Sequence, residues 1–231
     1  MSGMLILAIA LSLVISYLLG SCNSAIIVGK LIKHQDIRTL GSKNAGLTNT
    51  LRCFGKGCAL LTLIGDLGKG IVAVLLSKGL CSLMDVSIAG DERVQFIGYV
   101  AGIAAILGHV FPLYYGFKGG KGVLVGVSVF LVIDWKAFCI MILIFAIVLA
   151  ISKYVSLGSI IGAASCPVIT LLLQLLTMPE RPLWYTLLNT GMAAAMAAWV
   201  IWMHRCNIER LRSGTENRFS FSSKKKDAAK D

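Results

Sequence analysis

Five stretches of this chain are apolar over about the 20 residues that a helix needs to cross a bilayer: residues 4–19, 58–80, 94–115, 157–177 and 183–203. A sixth, residues 123–152, is apolar on both sides of a polar interruption, Asp134-Trp135-Lys136. Runs of this length have no polar face to turn towards water, which a surface helix of a soluble domain requires. Composition agrees: 57% of residues are hydrophobic and 14% charged, against about 45–50% and about 25% in soluble domains. A soluble enzyme, a disordered chain and a secreted disulfide scaffold are all disfavoured. The seven cysteines are scattered, with no metal-ligand spacing, and read as small apolar residues. Leu19-Gly20-Ser21-Cys22 resembles a lipoprotein cleavage box, but no Lys or Arg precedes Lys30, so an uncleaved first span is expected.

The charge that remains is lopsided, 22 Lys and Arg against 11 Asp and Glu, a net +11. In a soluble chain that would suggest nucleic acid; in a membrane chain it reports sidedness, because basic residues concentrate on cytoplasmic loops. Lys30, Lys33, Arg38, Lys43, Arg52 and Lys56 share one loop region, Lys118 and Lys121 another, and the segment from His204 is basic again. Asp85, Asp91 and Glu92 fall between spans on the opposite side. Placing Lys153 with the basic loops requires residues 123–152 to cross twice. The expectation is an all-α integral membrane protein with seven transmembrane helices, some short, N-terminus out and C-terminus in; six spans with one bent helix is the alternative. No inverted repeat relates the two halves, which counts against a secondary transporter. Residues 1–212 form the membrane domain, and residues 213–231 a polar basic tail expected to be disordered, with Lys224-Lys225-Lys226 at anionic headgroups.

Glycine-rich polar sequence at a membrane face needs protein or ligand around it. Two such loops lie on the basic side. The first, residues 36–52, includes Gly41, Ser42, Lys43, Asn44, Ala45, Gly46, Thr48, Asn49 and Arg52. Glycine turns expose N–H groups that form anion nests, and arginine grips phosphate in a fork; alternatively, Thr48 or Asn49 simply caps the next helix. The second runs from Gly108-His109 through Lys118-Gly119-Gly120-Lys121-Gly122 into a helix, where the first turn favours anions. It is not a Walker loop: Gly122 stands where Ser or Thr would hold magnesium. A basic loop anchoring two spans is the plain alternative. Asp66 and Lys69 share a helix face inside a span and are expected to form a structural ion pair. His204 and Asn207 share a face beyond the last span. No metal-ligand cluster is legible, nor a Ser/His/Asp or Cys/His pairing. Binding one or two phosphate groups at the membrane surface fits; the reaction stays open on these grounds.

Taken together, Gly20-Ser21, the block from Asp36 to Arg52, Gly108 to Val123 and His204 to Leu211 resemble the bacterial acyl-phosphate:glycerol-3-phosphate acyltransferases of the PlsY type. The likeness covers nearly the whole chain in four ordered blocks. It departs at Cys22-Asn23, where the family has Ile-Pro, at Lys43, where it has a second Gly, at Leu47, and at Leu124-Val125. The resemblance implies transfer of a fatty acyl group from acyl phosphate to the 1-hydroxyl of glycerol 3-phosphate, giving lysophosphatidate and phosphate, without cofactor or metal. It implies that Ser42, Arg52, Lys121, His204 and Asn207 hold glycerol 3-phosphate. The backbones of residues 44–49 and 119–122 would cradle the acyl phosphate, with its chain between spans, and Asn44, Gly46, Thr48, Asn49, His109, Lys118, Gly119, Gly120 and Gly122 are the substrate-binding residues implied. The site would face the cytoplasm from a bacterial inner membrane, among membrane lipids and other enzymes of phospholipid synthesis, with no nucleic acid. The His-x-x-x-x-Asp pair of acyl-CoA-dependent glycerolipid acyltransferases is missing: the fifth residue after His109 is Tyr114. A transporter or receptor for a phosphorylated small molecule, and an acyl-CoA-using enzyme, are the rival readings.

Overall fold

The apolar runs fold into helices whose greasy sides face outward. The computed structural model describes residues 3–86 and 95–219, and all their regular structure is helical. The helices are α1 (Gly3–Ser21), α2 (Ser24–Lys33), α3 (Leu47–Leu83), α4 (Gln95–Val110), α5 (Val123–Ile133), α6 (Trp135–Ser152), α7 (Val155–Thr177), α8 (Leu183–Met203) and α9 (Arg205–Arg212). On α1, Ile6 and Val14 are more than half exposed while Ser12 and Ser16 are fully buried. This inside-out pattern is how helices associate in lipid, small or polar side chains inward. Ser16 and Ser77 meet there, hydroxyl to hydroxyl, at 3.3 Å.

Six segments among the described residues are long and apolar enough to cross a membrane, α1 and α2 counting as one. The fold is therefore a multi-pass integral membrane protein. The break expected at Asp134 is present: its carboxylate starts α6 by accepting from the N–H groups of Lys136 (3.0 Å) and Ala137 (3.2 Å). That leaves α5 with 11 residues, about 16 Å, short of the roughly 30 Å hydrocarbon core. The two pieces nonetheless bring the chain back to the end of the bundle from which α5 starts. Lys153, after α6, accepts from Phe219 N–H at 2.7 Å, and Ser156 donates to Glu216 at 2.9 Å, at the end where α5 begins.

α3 has 37 residues, about 55 Å if continuous. It breaks at Gly55, whose φ of 83° suits glycine better than any other residue, separating a short first piece from a long apolar remainder. Its N-cap is Gly46, with no side-chain cap, so the alternative in which Thr48 or Asn49 serves as the cap does not hold. α4 is the most enclosed helix, packed among α1, α3, α5 and α8. Its Tyr99 lies edge-on to Phe130 of α5, within a core that includes Val74, Ile106, Val129 and Met196. Ser213–Phe219, placed in the disordered tail on sequence, instead fold back on the helix ends; residues 220–231, with the lysine run, lie outside the described residues.

Candidate active site

The first glycine loop is held by side chains that turn inward. Asp36 accepts from Arg38 N–H and pairs with its guanidinium at 2.7 Å, and that hydrogen-bonded pairing holds the carboxyl below its usual range. Arg38 then crosses to the second loop, donating to the carbonyls of Tyr115 (2.6 Å) and Lys118 (2.9 Å). The buried Asn49 amide donates to the carbonyls of Ile37, Leu40 and Asn44, and its oxygen accepts from Ser42 N–H at 3.0 Å. Asn49 shapes the loop; its side chain is fully engaged there. Asn23 adds a tie to the Ala45 carbonyl at 3.4 Å.

The second loop folds against the end of α4. Gly119 N–H donates to Val110 O (3.0 Å) and Gly120 N–H to His109 O (3.1 Å). Two of the amides expected to cradle phosphate are therefore already bonded. The N–H groups of Lys121 and Gly122 find no acceptor among the described residues, and the first turn of α5 follows with its unpaired donors. Gly120 touches the first loop: a Cβ there would collide with the Ala45 carbonyl oxygen and with His109 Nε2. The first turns of α3 and α5 thus open close together, two partial positive charges beside one another.

The third contribution comes from the turn between α8 and α9. His204 donates from Nδ1 to Val200 O at 2.7 Å, which leaves Nε2 as an acceptor. Burial, then the neighbouring Lys121 charge, push its pKa down to about 4, so the ring is neutral near pH 7. Lys121 donates to Asn207 Oδ1; burial, with repulsion from Arg210, lowers its pKa to about 8 against the pull of Glu216. Asn207 Nδ2 donates to Glu216 Oε1 at 2.8 Å. Burial opposes the Glu216 charge, but hydrogen bonds from Asn207, Arg210 and Ser156 prevail and hold its carboxyl below the usual range.

Lys121, His204 and Asn207 are thereby brought together. Ser42, Lys43 and Lys118 lie exposed on the loops and Arg52 exposed on the first piece of α3, and Arg52 makes no hydrogen bond or ion pair among the described residues. An open hollow of about 590 Å³ lies between the loops, lined by Arg38, Lys43, Lys118 and Gly119 among others. Asp66 and Lys69 form the expected ion pair at 2.9 Å, and His109 joins it. Between α5, α6, α7 and α8 lies an apolar cavity of about 120 Å³, lined by Phe130, Met141, Phe145, Gly162, Cys166 and Val200 among others. Arg38 and Glu216 were missed as site-shaping residues. Glu216 follows Gly214, whose φ of 70° marks a chain reversal, and that Gly was the available signal.

The fold and site define a class of multi-pass membrane protein in which two helix N-termini and a half-buried lysine suit an anion, with an apolar cavity among the neighbouring helices. Comparison with known proteins narrows the class. The family model for glycerol-3-phosphate acyltransferase matches residues 10–214, and the chain belongs to that family. It is 37% identical to a glycerol-3-phosphate acyltransferase of Clostridioides difficile (strain 630), over 89% of this chain and 92% of the relative. It is equally similar, at 37%, to one from Chlorobaculum tepidum, over 92% and 97%. Its fold is similar to crystal structures of PlsY (YgiH), an integral membrane glycerol 3-phosphate acyltransferase. The glycerol 3-phosphate form matches with a TM-score of 0.75 and 30% identity over 92% of this chain and 96% of that one. The lysophosphatidic acid form gives 0.72 over 92% and 95%.

Proposed function

We propose that this protein transfers a fatty acyl group from acyl phosphate to the 1-hydroxyl of glycerol 3-phosphate, at the cytoplasmic face of a bacterial inner membrane. The observation that carries the reading is the meeting of the α3 and α5 first turns at Ala45 and Gly120, with Lys121, Asn207 and His204 beside them. Glycerol 3-phosphate sits against Ser42, Arg52, Lys121, His204 and Asn207. Acyl phosphate lies across the loops at Asn44–Asn49 and Lys121–Gly122, its chain in the α5–α8 cavity. The topology is seven crossings, N-terminus out, with α5 and α6 as a short outward-and-return pair that ends at Lys153.

The chemistry asks for positioning. Acyl phosphate is already activated, so holding two phosphate-bearing substrates together against repulsion is most of the task. The glycerol hydroxyl oxygen attacks the acyl carbon, the bond from carbon to the phosphate oxygen breaks, and the departing phosphate takes the hydroxyl proton. A histidine with a pKa of about 4 is a weak base at neutral pH, which suits His204 to accepting a hydrogen bond and orienting the hydroxyl.

Purified protein given glycerol 3-phosphate with either acyl phosphate or acyl-CoA tests the reading. Lysophosphatidate and phosphate form from acyl phosphate alone. Binding without turnover would make the protein a transporter or receptor, and turnover only with acyl-CoA would replace the donor.

A further inference from the structure

The ion pair inside the bundle has a third member, and its geometry sets the state of a histidine at the site. Lys69 pairs in charge with Asp66 Oδ1 at 2.9 Å and lies within hydrogen-bond distance of His109 Nδ1 at 2.8 Å and the Cys22 carbonyl at 3.1 Å. A lysine ammonium only donates, so His109 Nδ1 accepts. Asp66 Oδ1 is 3.6 Å from that nitrogen, beyond hydrogen-bond reach, and does not compete for a proton there. The ring's one proton is therefore on Nε2.

That nitrogen faces the site. It lies against Gly120, where any Cβ would collide with it and with the Ala45 carbonyl, so it stands where the two glycine loops touch. No group of the described residues accepts from it. A donor directed at the junction of two anion-holding loops, with its tautomer fixed from behind, is a recurring way to orient a binding histidine.

We infer that Asp66 and Lys69 are positioning residues for acyl transfer: they hold His109 as the Nε2–H tautomer, and His109 gives that hydrogen bond to the phosphoryl group of the acyl phosphate. The ligand in this inference rests on the acyl-phosphate reading above. The interaction strengthens as the phosphate departs with growing charge, so it acts on the acyl-phosphate side of the reaction and leaves glycerol 3-phosphate binding alone.

The chain has three histidines, so protein labelled with nitrogen-15 histidine gives a spectrum simple enough to assign by substitution. Wild type should show His109 protonated at Nε2 and bare at Nδ1, and an acyl phosphonate, a non-transferable analogue, should shift the Nε2–H signal. Lys69→Met should release the tautomer. It should lower kcat/KM for acyl phosphate about 10- to 100-fold, the scale of one hydrogen bond to a charged group, with KM for glycerol 3-phosphate within about twofold. His109→Gln, which keeps an N–H at similar reach, should retain more activity than His109→Phe, and these two variants decide the matter where Lys69→Met fails to fold. A wild-type spectrum with Nδ1 protonated overturns the inference whatever the activity. Equal losses in the Gln and Phe variants, or a matching rise in KM for glycerol 3-phosphate, overturn it as well. Wild type inert towards acyl phosphate overturns the parent reading and the ligand assigned to His109, whereas the tautomer spectrum then still judges the Asp66–Lys69 arrangement separately.

Discussion

Glu216 accepts a 2.8 Å hydrogen bond from the amide nitrogen of Asn207, and that contact decides which way Asn207 faces. An ionised carboxylate only accepts and a lysine only donates, so Asn207 must turn Nδ2 to Glu216 and Oδ1 to Lys121. Glu216 is held in turn by Arg210 Nε at 2.7 Å and Ser156 Oγ at 2.9 Å.

Glu216→Ala should therefore remove the constraint on Asn207 and loosen Lys121. Hydrogen bonds to charged groups contribute about 1.5–3 kcal/mol, so kcat/KM for glycerol 3-phosphate should fall by at least tenfold. Glu216→Gln still offers an acceptor to Asn207 and should lose less. Steady-state kinetics on both variants checks the order; equal activity in the two and wild type would remove Glu216 from the site.

Lys121 should give the proposed reaction an alkaline limit. Burial first, then Arg210, lower its pKa to about 8, so its charge is present below that pH and lost above it. The second ionisation of a phosphate monoester lies near 6 and is complete by then. KM for glycerol 3-phosphate should rise about tenfold per pH unit above about 8. Lys121→Arg keeps its charge and should flatten that rise, whatever it does to the rate at neutral pH. Unfolding cannot mimic the effect through this group: a lysine whose pKa falls on folding adds stability as pH climbs past 8.

Arg52 offers the cleanest separation of function from folding. It is exposed and unpartnered among the described residues, so Arg52→Ala should change stability by about 0.5 kcal/mol or less. Turnover should drop by two orders of magnitude or more if the guanidinium grips phosphate in a fork. A thermal melt and a phosphate-release assay on the same preparation distinguish the outcomes; near-normal turnover would take Arg52 out of the site.

Sequence disclosed what is local. The Asp134 break was visible because a charged tripeptide cannot sit inside an apolar run, and the shared end of the basic loops followed from charge alone. Glycine spacing marked both loops but could not say which amides are free: Gly119 and Gly120 donate to carbonyls of α4, a fact of tertiary contact. Arg38 was visible only as part of a loop, since its carbonyl partners lie at Tyr115 and Lys118. Glu216 was hidden in a polar segment that composition assigns to disorder. The short α5 escapes a hydropathy count because its length, not its apolarity, falls below what a span requires.

Lys43 occupies a conformation made for another residue. Its φ is 58°, in the left-handed region that costs a side-chain-bearing residue about 1–2 kcal/mol, at the position where the family pattern has glycine. Lys43→Gly removes that cost and returns part of it as added freedom of the unfolded chain. The net gain should be about 0.5–1 kcal/mol, seen as a small rise in melting temperature. Activity at saturating substrate should stay within about twofold, because Lys43 is exposed at the loop edge. A stability loss would mean that the lysine makes a contact offsetting its backbone strain.

α5, α6, α7 and α8 enclose an apolar cavity. It holds about 120 Å³, and a Cβ added at Gly162 would meet nothing nearer than the Met141 carbonyl at 3.8 Å. A leucine there has room to enter the cavity, and its side chain takes up on the order of 100 Å³, the scale of the hole that truncating a buried leucine leaves. Gly162→Leu should therefore fill most of the space while preserving the helix, since leucine is a better helix former than glycine by up to about 1 kcal/mol. If this cavity receives the acyl chain, kcat/KM should fall at least tenfold for palmitoyl phosphate and much less for octanoyl phosphate, with KM for glycerol 3-phosphate unchanged. A uniform loss across chain lengths would instead point to helix displacement, and no loss at all would place the chain in another groove among the lipid-facing helices. The length dependence is the informative quantity, because a packing defect has no reason to know how many carbons the donor carries.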